Sequence, residues 1–409
     1  MAPEVLKRGL ALCLLALLAF MAWRVVSLGM ADHFASSDPE RALSWRGNHP
    51  EALFQQAQRL AEEPGQSAAA ARFARLALQA NPLDGRPYRV LGQMETEPDK
   101  SNALIRMAAA RSPRDVPSQA LLIEHYLARR DFTSALDHVD TLLRVESETN
   151  GRLYPLLAQL ASVPEAQPAL AEMLLTAPPW AQGALSHMVQ TAPDTDGIGM
   201  LMERLRKSPG SLSPPVLSTW VDRLTREDRW GQAYLTWVSQ LPQDRLNGLG
   251  NLYNGGFEWA PGQGGFDWRF MRAPGSQITR AAGPGVVGQV ALRVAFEDRR
   301  VPFSHVRQML ALPPGAYRLT GRQRAESLRT ERGLVWTVAC APPAGAPLAT
   351  SEPLRGQSNW RDFTMDFEVP TTGCGGQWLT LTVPARIPAE QRIGGIAWFD
   401  AMRISRIAR

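Results

Sequence analysis

Asn254-Gly255-Gly256-Phe257-Glu258-Trp259 lies where the pattern of this 409-residue chain changes. Before this stretch the sequence is rich in Ala and Leu at helical spacing, and after it apolar and polar residues alternate between Gly- and Pro-rich breaks. The Gly255-Gly256 pair predicts a tight turn or a bulge, because glycine adopts positive φ at no steric cost. The stretch therefore divides a helical part from a β part.

Alternating apolar positions identify strands in the second part. Val290, Leu292, Val294 and Phe296 fall on one face of an extended segment. Similar alternation recurs in four later segments, 334–338, 363–369, 379–383 and 396–404. About eight such strands in about 160 residues predict an antiparallel β-sandwich.

Four segments of this part resemble landmarks of the jelly-roll carbohydrate-binding modules related to the galactose-binding-like fold. They are residues 254–259, 314–319, 359–363 and 398–404. In those modules the first and last of these segments form the first and last strands. The resemblance covers about residues 250–409 and implies a jelly-roll domain, residues 246–409, that binds a glycan.

Sugar binding requires aromatic rings that stack on pyranose faces and polar side chains for the hydroxyl groups. The candidate glycan contacts are Trp259, Trp268, Trp378, Arg269 and Arg272. The two arginines could add a preference for acidic glycans, and an exposed solvated surface is the alternative. Trp336 and Trp360 are expected in the core.

Glu258 and Asp400 fall on the first and last predicted strands, which lie close together in a jelly roll. Related modules hold a structural Ca²⁺ at such positions, so the resemblance implies a possible calcium site. Hydrogen bonding at a sheet edge or turn is the alternative. A glycosidase pair of one protonated and one ionised carboxylate is a third interpretation.

Cys340 and Cys374 are the cysteines outside the apolar N-terminal run, which contains Cys13. In an oxidising compartment they could form a disulfide that closes a loop of 34 residues. Such a bond stabilises by roughly 3–4 kcal/mol in the loop-entropy picture. Two unconnected cysteines are the alternative.

The helical part, residues 32–245, contains an internal repeat. The pattern of residues 77–91 recurs 31 residues later in 108–122. This period and the segment 126–136 resemble tetratricopeptide repeats, in which helical hairpins stack into a solenoid. The resemblance implies an α-solenoid, degenerate after about residue 150, that binds a protein partner.

The N-terminal segment is basic and then apolar. Lys7 and Arg8 end a tail of residues 1–8, and residues 9–31 form an apolar run interrupted by Arg24. The run predicts a transmembrane signal anchor with the tail in the cytoplasm and the bulk of the protein outside the inner membrane. A cleaved signal peptide, cut after 27–29, is the alternative.

Composition excludes several functional classes. The formal net charge of +5 is spread along the chain, and no nucleic-acid-binding signature occurs. Residues 283–288 match the dinucleotide-binding glycine pattern, but an alternating strand comes next in place of a helix. No sequence motif of an active site occurs.

Together these features predict a multidomain α plus β protein: a transmembrane helix, a tetratricopeptide-like α-solenoid and a C-terminal antiparallel β-sandwich (jelly roll). The architecture resembles accessory proteins of bacterial polysaccharide assembly and export, so we expect a periplasmic, non-enzymatic scaffold that binds a glycan and a protein partner. A purely structural bridge in an envelope complex and a glycan hydrolase or lyase are the alternatives.

Overall fold

The computed structural model describes residues 2–145, 150–208, 210–262, 264–341 and 346–407. By its internal contacts the chain divides into two compact units, residues 1–184 with 191–211, and residues 185–190 with 212–409. The predicted fold class is confirmed, since helices form the N-terminal part and two antiparallel sheets form a sandwich in the C-terminal part. The tetratricopeptide identity of the helices and the predicted division at 245/246 stay predictions.

Helix α1 (Ala2–Phe34) begins the first unit. Its segment Leu12–Phe34 has a mean hydropathy of 2.1 and is long and apolar enough to cross a membrane, a test that a signal sequence would also pass. The last turns of α1 pack on helix α2 (Pro39–Trp45), where Ser27 Oγ donates to Trp45 O at 2.8 Å. Helix α1 thus has an exposed apolar segment, and its C-terminal turns pack on α2.

The later helices in the described residues have these bounds: α3 (Pro50–Glu62), α4 (Ser67–Ala80), α5 (Arg86–Met94), α6 (Pro98–Arg111), α7 (Val116–Ala128), α8 (Phe132–Val145), α9 (Asn150–Leu160), α10 (Gln167–Leu175), α11 (Ala181–Thr191), α12 (Thr195–Arg206), α13 (Pro214–Arg226) and α14 (Trp230–Val238). Proline stands in the first turn of many of these helices, because an N–H group there would have no hydrogen-bond acceptor within the helix.

Small residues allow the helices of the first unit to approach closely. Ala70, Ala74 and Ala77 of α4 are buried against Leu53 and Phe54 of α3. Helix α5 packs in the same way on α6, and α7 on α8. These antiparallel hairpins give the repeat its 31-residue period.

One buried arginine connects successive hairpins. Arg89 of α5 donates from Nε to Asp115 Oδ2 at 3.0 Å, and from Nη2 to Gln58 Oε1 of α3 at 3.2 Å. Asp115 also caps α7 by accepting from Ser118 N. Because a buried charge is costly without a partner, this contact set fixes the register of three hairpins.

The strands of the sandwich are β1 (Trp268–Phe270), β2 (Ser276–Ala281), β3 (Ala291–Arg300), β4 (Val306–Leu310), β5 (Gly315–Thr330), β6 (Val335–Cys340), β7 (Ala349–Thr350), β8 (Gly356–Val369), β9 (Gln377–Thr382) and β10 (Arg392–Arg406). The first sheet has the order β1-β4-β9-β6-β7, and the second sheet the order β2-β3-β10-β5-β8. Their facing sides enclose one core, which contains Phe257, Trp268, Trp336 and Phe399.

The stretch 254–259 is a turn, so the predicted first strand is wrong at this position. Asn254 and Phe257 have φ values of 51° and 59°, and Phe257 N donates to Asn254 O at 2.9 Å. The turn still lies against the last strand, because Met402 N of β10 donates to Gly255 O at 2.9 Å. The sequence motif therefore marks the join between the two ends of the β domain.

We expect Gly255→Ala to destabilise the sandwich, because a Cβ at Gly255 would lie 1.9 Å from Met402 O. Overpacking of this kind costs about 1–3 kcal/mol. The matched control is Gly256→Ala, where the nearest atom, Glu258 Cγ, would be 3.7 Å away. Denaturant unfolding measures both; equal losses of unfolding free energy would contradict the close approach.

Candidate functional site

Helices α13 and α14 belong to the same compact unit as the sandwich and lie on the outer side of its first sheet. Glycines make this approach possible. A Cβ at Gly376 would lie 2.3 Å from the ring of Trp230, and one at Gly265 would lie 2.2 Å from the ring of Trp237. The backbone of the sandwich thus contacts two tryptophans of α14 directly.

A pocket of about 560 Å³ lies between these helices and the sheet. We call it the arginine–tryptophan pocket. The sandwich contributes Arg269, Arg307, Met309, Ala341 and Trp378, and the helices contribute Asp222, Thr225, Arg226 and Trp230. The pocket therefore combines two half-buried indoles, Trp230 and Trp378, with several cationic groups.

Strand alternation places the pocket side chains outward. In β1 and β4, Trp268 and Val306 are buried in the core, so their neighbours Arg269 and Arg307 face the opposite side. The guanidinium carbons of Arg269 and Arg307 lie 5.0 and 4.5 Å from the ring centroid of Trp378. Both distances are within the range of a cation–π contact.

The positive charge of the pocket is only partly balanced. Arg269 Nη2 lies 3.5 Å from Asp222 Oδ1, a long contact. The Nε atoms of Arg269 and Arg307 are buried without a hydrogen-bond partner among the described residues. Burial, followed by the nearby charge of Arg269, lowers the pKa of Arg307 from its ordinary value. The guanidinium nevertheless stays charged at any physiological pH.

A row of polar side chains crosses the first sheet from this pocket. Successive strand pairing aligns Arg269, Arg307, Thr380, Thr337 and Thr350 on one line across all five strands. Strands are spaced about 4.8 Å apart, so the line extends about 19 Å. An extended polar ligand could contact donors and acceptors along this length.

The candidate glycan contacts separate in the structure. Trp378 and Arg269 come together in the pocket, and Arg272 is exposed elsewhere. Trp268 is 0% exposed and donates from Nε1 to Asn254 O at 3.0 Å, so it is a core residue and not a surface contact. Trp259 is half-buried and stacks on Tyr253 at 5.8 Å between ring centroids.

Trp336 and Trp360 were both expected in the core, and the structure places only Trp336 there. Trp336 is fully buried, as predicted. Trp360 is half-buried on the outer side of the second sheet, where Nε1 donates to Pro284 O at 2.8 Å. The glycine-rich segment 283–288 packs on this ring, since a Cβ at Gly285 would lie 2.7 Å from Trp360 Cδ1.

Sequence reasoning missed Arg307 and Asp222 as pocket residues. Arg307 lies in a segment, 306–310, whose weak alternation gave no clear strand signal. Asp222 comes from a helix 47 residues before Arg269, and no local pattern connects the two. Only tertiary packing brings them together.

Glu258 and Asp400 are close enough to interact, and both accept backbone hydrogen bonds. Asp400 accepts from Val287 N at 2.7 Å and from Ala401 N at 2.6 Å, and Glu258 Oε1 accepts from Gln289 N at 3.0 Å. The hydrogen-bonded alternative is therefore present. Among the described residues no group of three or more His, Cys, Asp or Glu could hold a metal ion, and the calcium site stays a prediction.

Cys340 and Cys374 are joined by a disulfide, with their Cα atoms 5.0 Å apart. The bond connects the end of β6 to the turn before β9. Ala341 N, next to the disulfide, donates to Gly376 O at 2.8 Å. This region contains the pocket residues Ala341 and Trp378, so the disulfide restrains one wall of the pocket.

Solved structures similar to this chain include carbohydrate-binding modules, which match its β region. A CBM4 module matches at 12% identity over 38% of this chain and 99% of its own length, with a TM-score of 0.29. TmCBM61 in complex with β-1,4-galactotriose matches at 19% identity over 39% and 99%, with a TM-score of 0.27. The CBM22-1 xylan-binding domain of Paenibacillus barcinonensis Xyn10C matches at 12% identity over 38% and 93%, with a TM-score of 0.25.

No protein-family profile matches the sequence, and no curated protein matches it. The TM-scores above are below 0.5, so the fold assignment rests on the strand pairing of the sandwich itself.

We expect Glu258→Gln to raise the melting temperature at pH 7. Burial, with a smaller contribution from Glu258, raises the pKa of Asp400 above its ordinary value of 3.8. The folded protein then holds a proton that the unfolded chain has released, so stability is lost as the pH rises through this window. Removing the neighbouring charge should recover about 0.2–1 kcal/mol, the range for like-charge neighbours.

The gain should shrink as the pH falls and Asp400 takes up its proton, because a neutral Asp400 carboxyl is no longer repelled by the charge at position 258. Exposed Glu352→Gln is the control and should change little. A Ca²⁺ ion between the carboxylates would reverse the sign: Glu258→Gln and a chelator would then both lower the melting temperature.

Proposed function

We propose that this protein is a membrane-anchored, non-enzymatic binding protein whose arginine–tryptophan pocket holds a saccharide. One observation carries the proposal: half-buried Trp378 lies beside Arg269 and Arg307 in a pocket of about 560 Å³ on a β-sandwich. An indole face packs on the C–H face of a pyranose, and guanidinium groups donate to its hydroxyl oxygens.

The acidic residues support a binding role over a catalytic one. Glycoside hydrolysis by the usual mechanisms uses two carboxyl groups that flank the scissile bond. Asp222 is the one acidic residue among the described residues of the pocket. Glu258 and Asp400 are paired with backbone N–H groups outside it.

We further propose that α1 is retained as an anchor and that the bulk of the protein lies in the periplasm. Contacts around the end of α1 support this. Trp23 packs on Trp45 with ring centroids 5.8 Å apart, and Asp32 Oδ1 lies 2.7 Å from His49 Nε2. Cleavage after residue 29 would remove Trp23 and Ser27 from their contacts with α2.

The helical array would hold a protein partner. A groove of about 800 Å³ in the first unit supports this role, since Val116, Pro117 and Val145 give it apolar surface and Arg86 and Arg114 give it charge. A glycan-binding pocket, an anchor and a helical array together fit an accessory role in polysaccharide assembly or export at the cell envelope. That last step is an analogy of architecture.

A purely structural bridge in an envelope complex is the second candidate. It is favoured by the position of α13 and α14 over the first sheet, which covers part of the face that an open sugar-binding surface would use. In this case the pocket would only join the helices to the sandwich.

We expect Trp378→Ala to weaken saccharide binding by at least about tenfold, or about 1.4 kcal/mol, because the stacking surface is lost. Full-length protein in detergent is first screened on a glycan array, and calorimetry then measures the affinity of each variant. Trp259→Ala removes the other half-buried candidate and should leave the affinity unchanged. Loss with Trp259→Ala alone would place the site elsewhere, and no binding to any glycan would favour the structural bridge.

We expect mass spectrometry of the membrane fraction to detect peptides from residues 9–29 in the mature protein. The protein should stay in the membrane after alkaline carbonate extraction, because a span of 23 residues from Leu12 to Phe34 is held by the bilayer. A mature N-terminus at Met30 and release by carbonate would contradict the anchor.

A further inference from the structure

We propose that the arginine–tryptophan pocket selects saccharides that carry an anionic group, and that a hexuronate carboxylate bound by Arg307 is the determinant. This inference rests on the proposed function and specifies its ligand class. This ligand class is inferred from the charged side chains of the pocket and from a comparison of their ion pairing with that of arginines on the second sheet.

The pocket has an excess of positive charge. Three guanidinium groups, Arg226, Arg269 and Arg307, line it together with a single carboxylate, Asp222. That carboxylate is nearest to Arg269, at 3.5 Å, while Arg226 Nε donates to the backbone oxygen of Asp222 at 3.3 Å. Among the described residues no carboxylate forms an ion pair with Arg307.

The sheet itself makes this excess unfavourable. Arg269 and Arg307 are directly opposite each other on the antiparallel strands β1 and β4. Like charges in this position destabilise a strand pair. Both Nε atoms are also buried without a hydrogen-bond partner, and unpaired buried donors cost further free energy. A bound anion would remove both penalties.

The second sheet has both paired and unpaired arginines. Arg318, Arg324 and Arg392 have close carboxylate partners: Asp366 at 2.6 Å, Glu326 at 3.0 Å and Asp298 at 3.2 Å. Arg293 lies 5.7 Å from the ring centroid of Trp398 and forms no ion pair among the described residues. The pocket differs because two arginines without a close carboxylate partner are directly opposite each other, with their Nε atoms buried. This pair points to a ligand as the missing anion.

The geometry favours a carboxylate attached to a stacked sugar. The guanidinium carbon of Arg307 lies over the ring of Trp378, 4.5 Å from its centroid, so a sugar packed against the part of this ring that the guanidinium groups leave open has its substituents beside Arg307. In a hexuronate the carboxylate is attached directly to the pyranose ring. Guanidinium binds carboxylate through two parallel hydrogen bonds, which a neutral hydroxymethyl group cannot form.

The pocket is also composite, since Asp222 and Arg226 come from α13 and the remaining cations come from β1 and β4. Asp222 is closest to Arg269, so it leaves Arg307 as the better anion-binding group. An isolated sandwich without α13 would lose this asymmetry. The experiment therefore uses the full-length chain.

Calorimetry on full-length protein in detergent tests the inference. The probes are polyglucuronate, polygalacturonate and alginate, each measured beside its carboxyl-reduced neutral form. We expect at least one acidic polymer to bind about tenfold or more tightly than its neutral form. Arg307→Gln should remove most of this difference, while Arg318→Gln, which changes a paired arginine on the second sheet, should preserve it. Higher salt should reduce the difference.

Arg307→Gln should change the melting temperature little, because the repulsion from Arg269 that it relieves offsets the lost cation–π contact with Trp378. A lower melting temperature would identify Arg307 as a structural residue and contradict the inference. Equal binding of acidic and neutral forms, or a difference that survives Arg307→Gln, would also overturn it. Dextran sulfate is an additional arm: tight binding that persists in Trp378→Ala would indicate a general polyanion site.

The outcomes separate the inference from the proposed function. If neutral saccharides bind with dependence on Trp378 but acidic ones bind no tighter, the charge selectivity fails and the proposed function stands. If no saccharide on the array or in the polymer series binds, both fail.

Discussion

The backbone hydrogen bond between Met402 N and Gly255 O joins the start of the β domain to its last strand. It is reinforced by Trp268, whose indole N–H donates to Asn254 O inside the core. Buried backbone groups must be paired, so this turn has one position relative to β10. The chain then enters β1 with Trp268 inward and Arg269 outward, and the face on which the pocket forms is decided there.

The β domain also depends on glycine where helices α13 and α14 contact its first sheet. Gly265, Gly375 and Gly376 leave no room for a side chain beside Trp230 and Trp237. The disulfide between Cys340 and Cys374 restrains the loop that carries two of these glycines. Helices α13 and α14 can therefore rest directly on the sandwich, and the pocket has one wall from each. Neither the helices nor the sandwich alone would provide the full set of side chains that line the pocket.

The two outer faces of the sandwich differ in how they balance charge. On the second sheet, cross-strand pairs such as Arg318 with Asp366 satisfy exposed cations at small net energy. On the first sheet, Arg269 and Arg307 face each other beside an aromatic ring in a partly buried pocket. Burial strengthens electrostatic interactions, so an unbalanced pair there has a larger effect than one in solvent. Stability alone would favour the first arrangement, and the proposed anionic ligand would account for the second.

Sequence by itself determined the order of the architecture: an apolar helix, helices with a 31-residue repeat, then alternating strands in a sandwich. Periodicity carries this information because residues three or four apart share a helix face and residues two apart share a strand face. Tertiary structure decided which face was the core. Trp268 and Trp378 both neighbour glycine-rich segments, yet only strand pairing buries the first and leaves the second in a pocket. Asp222 and Arg307 joined that pocket through long-range packing, which no local pattern encodes.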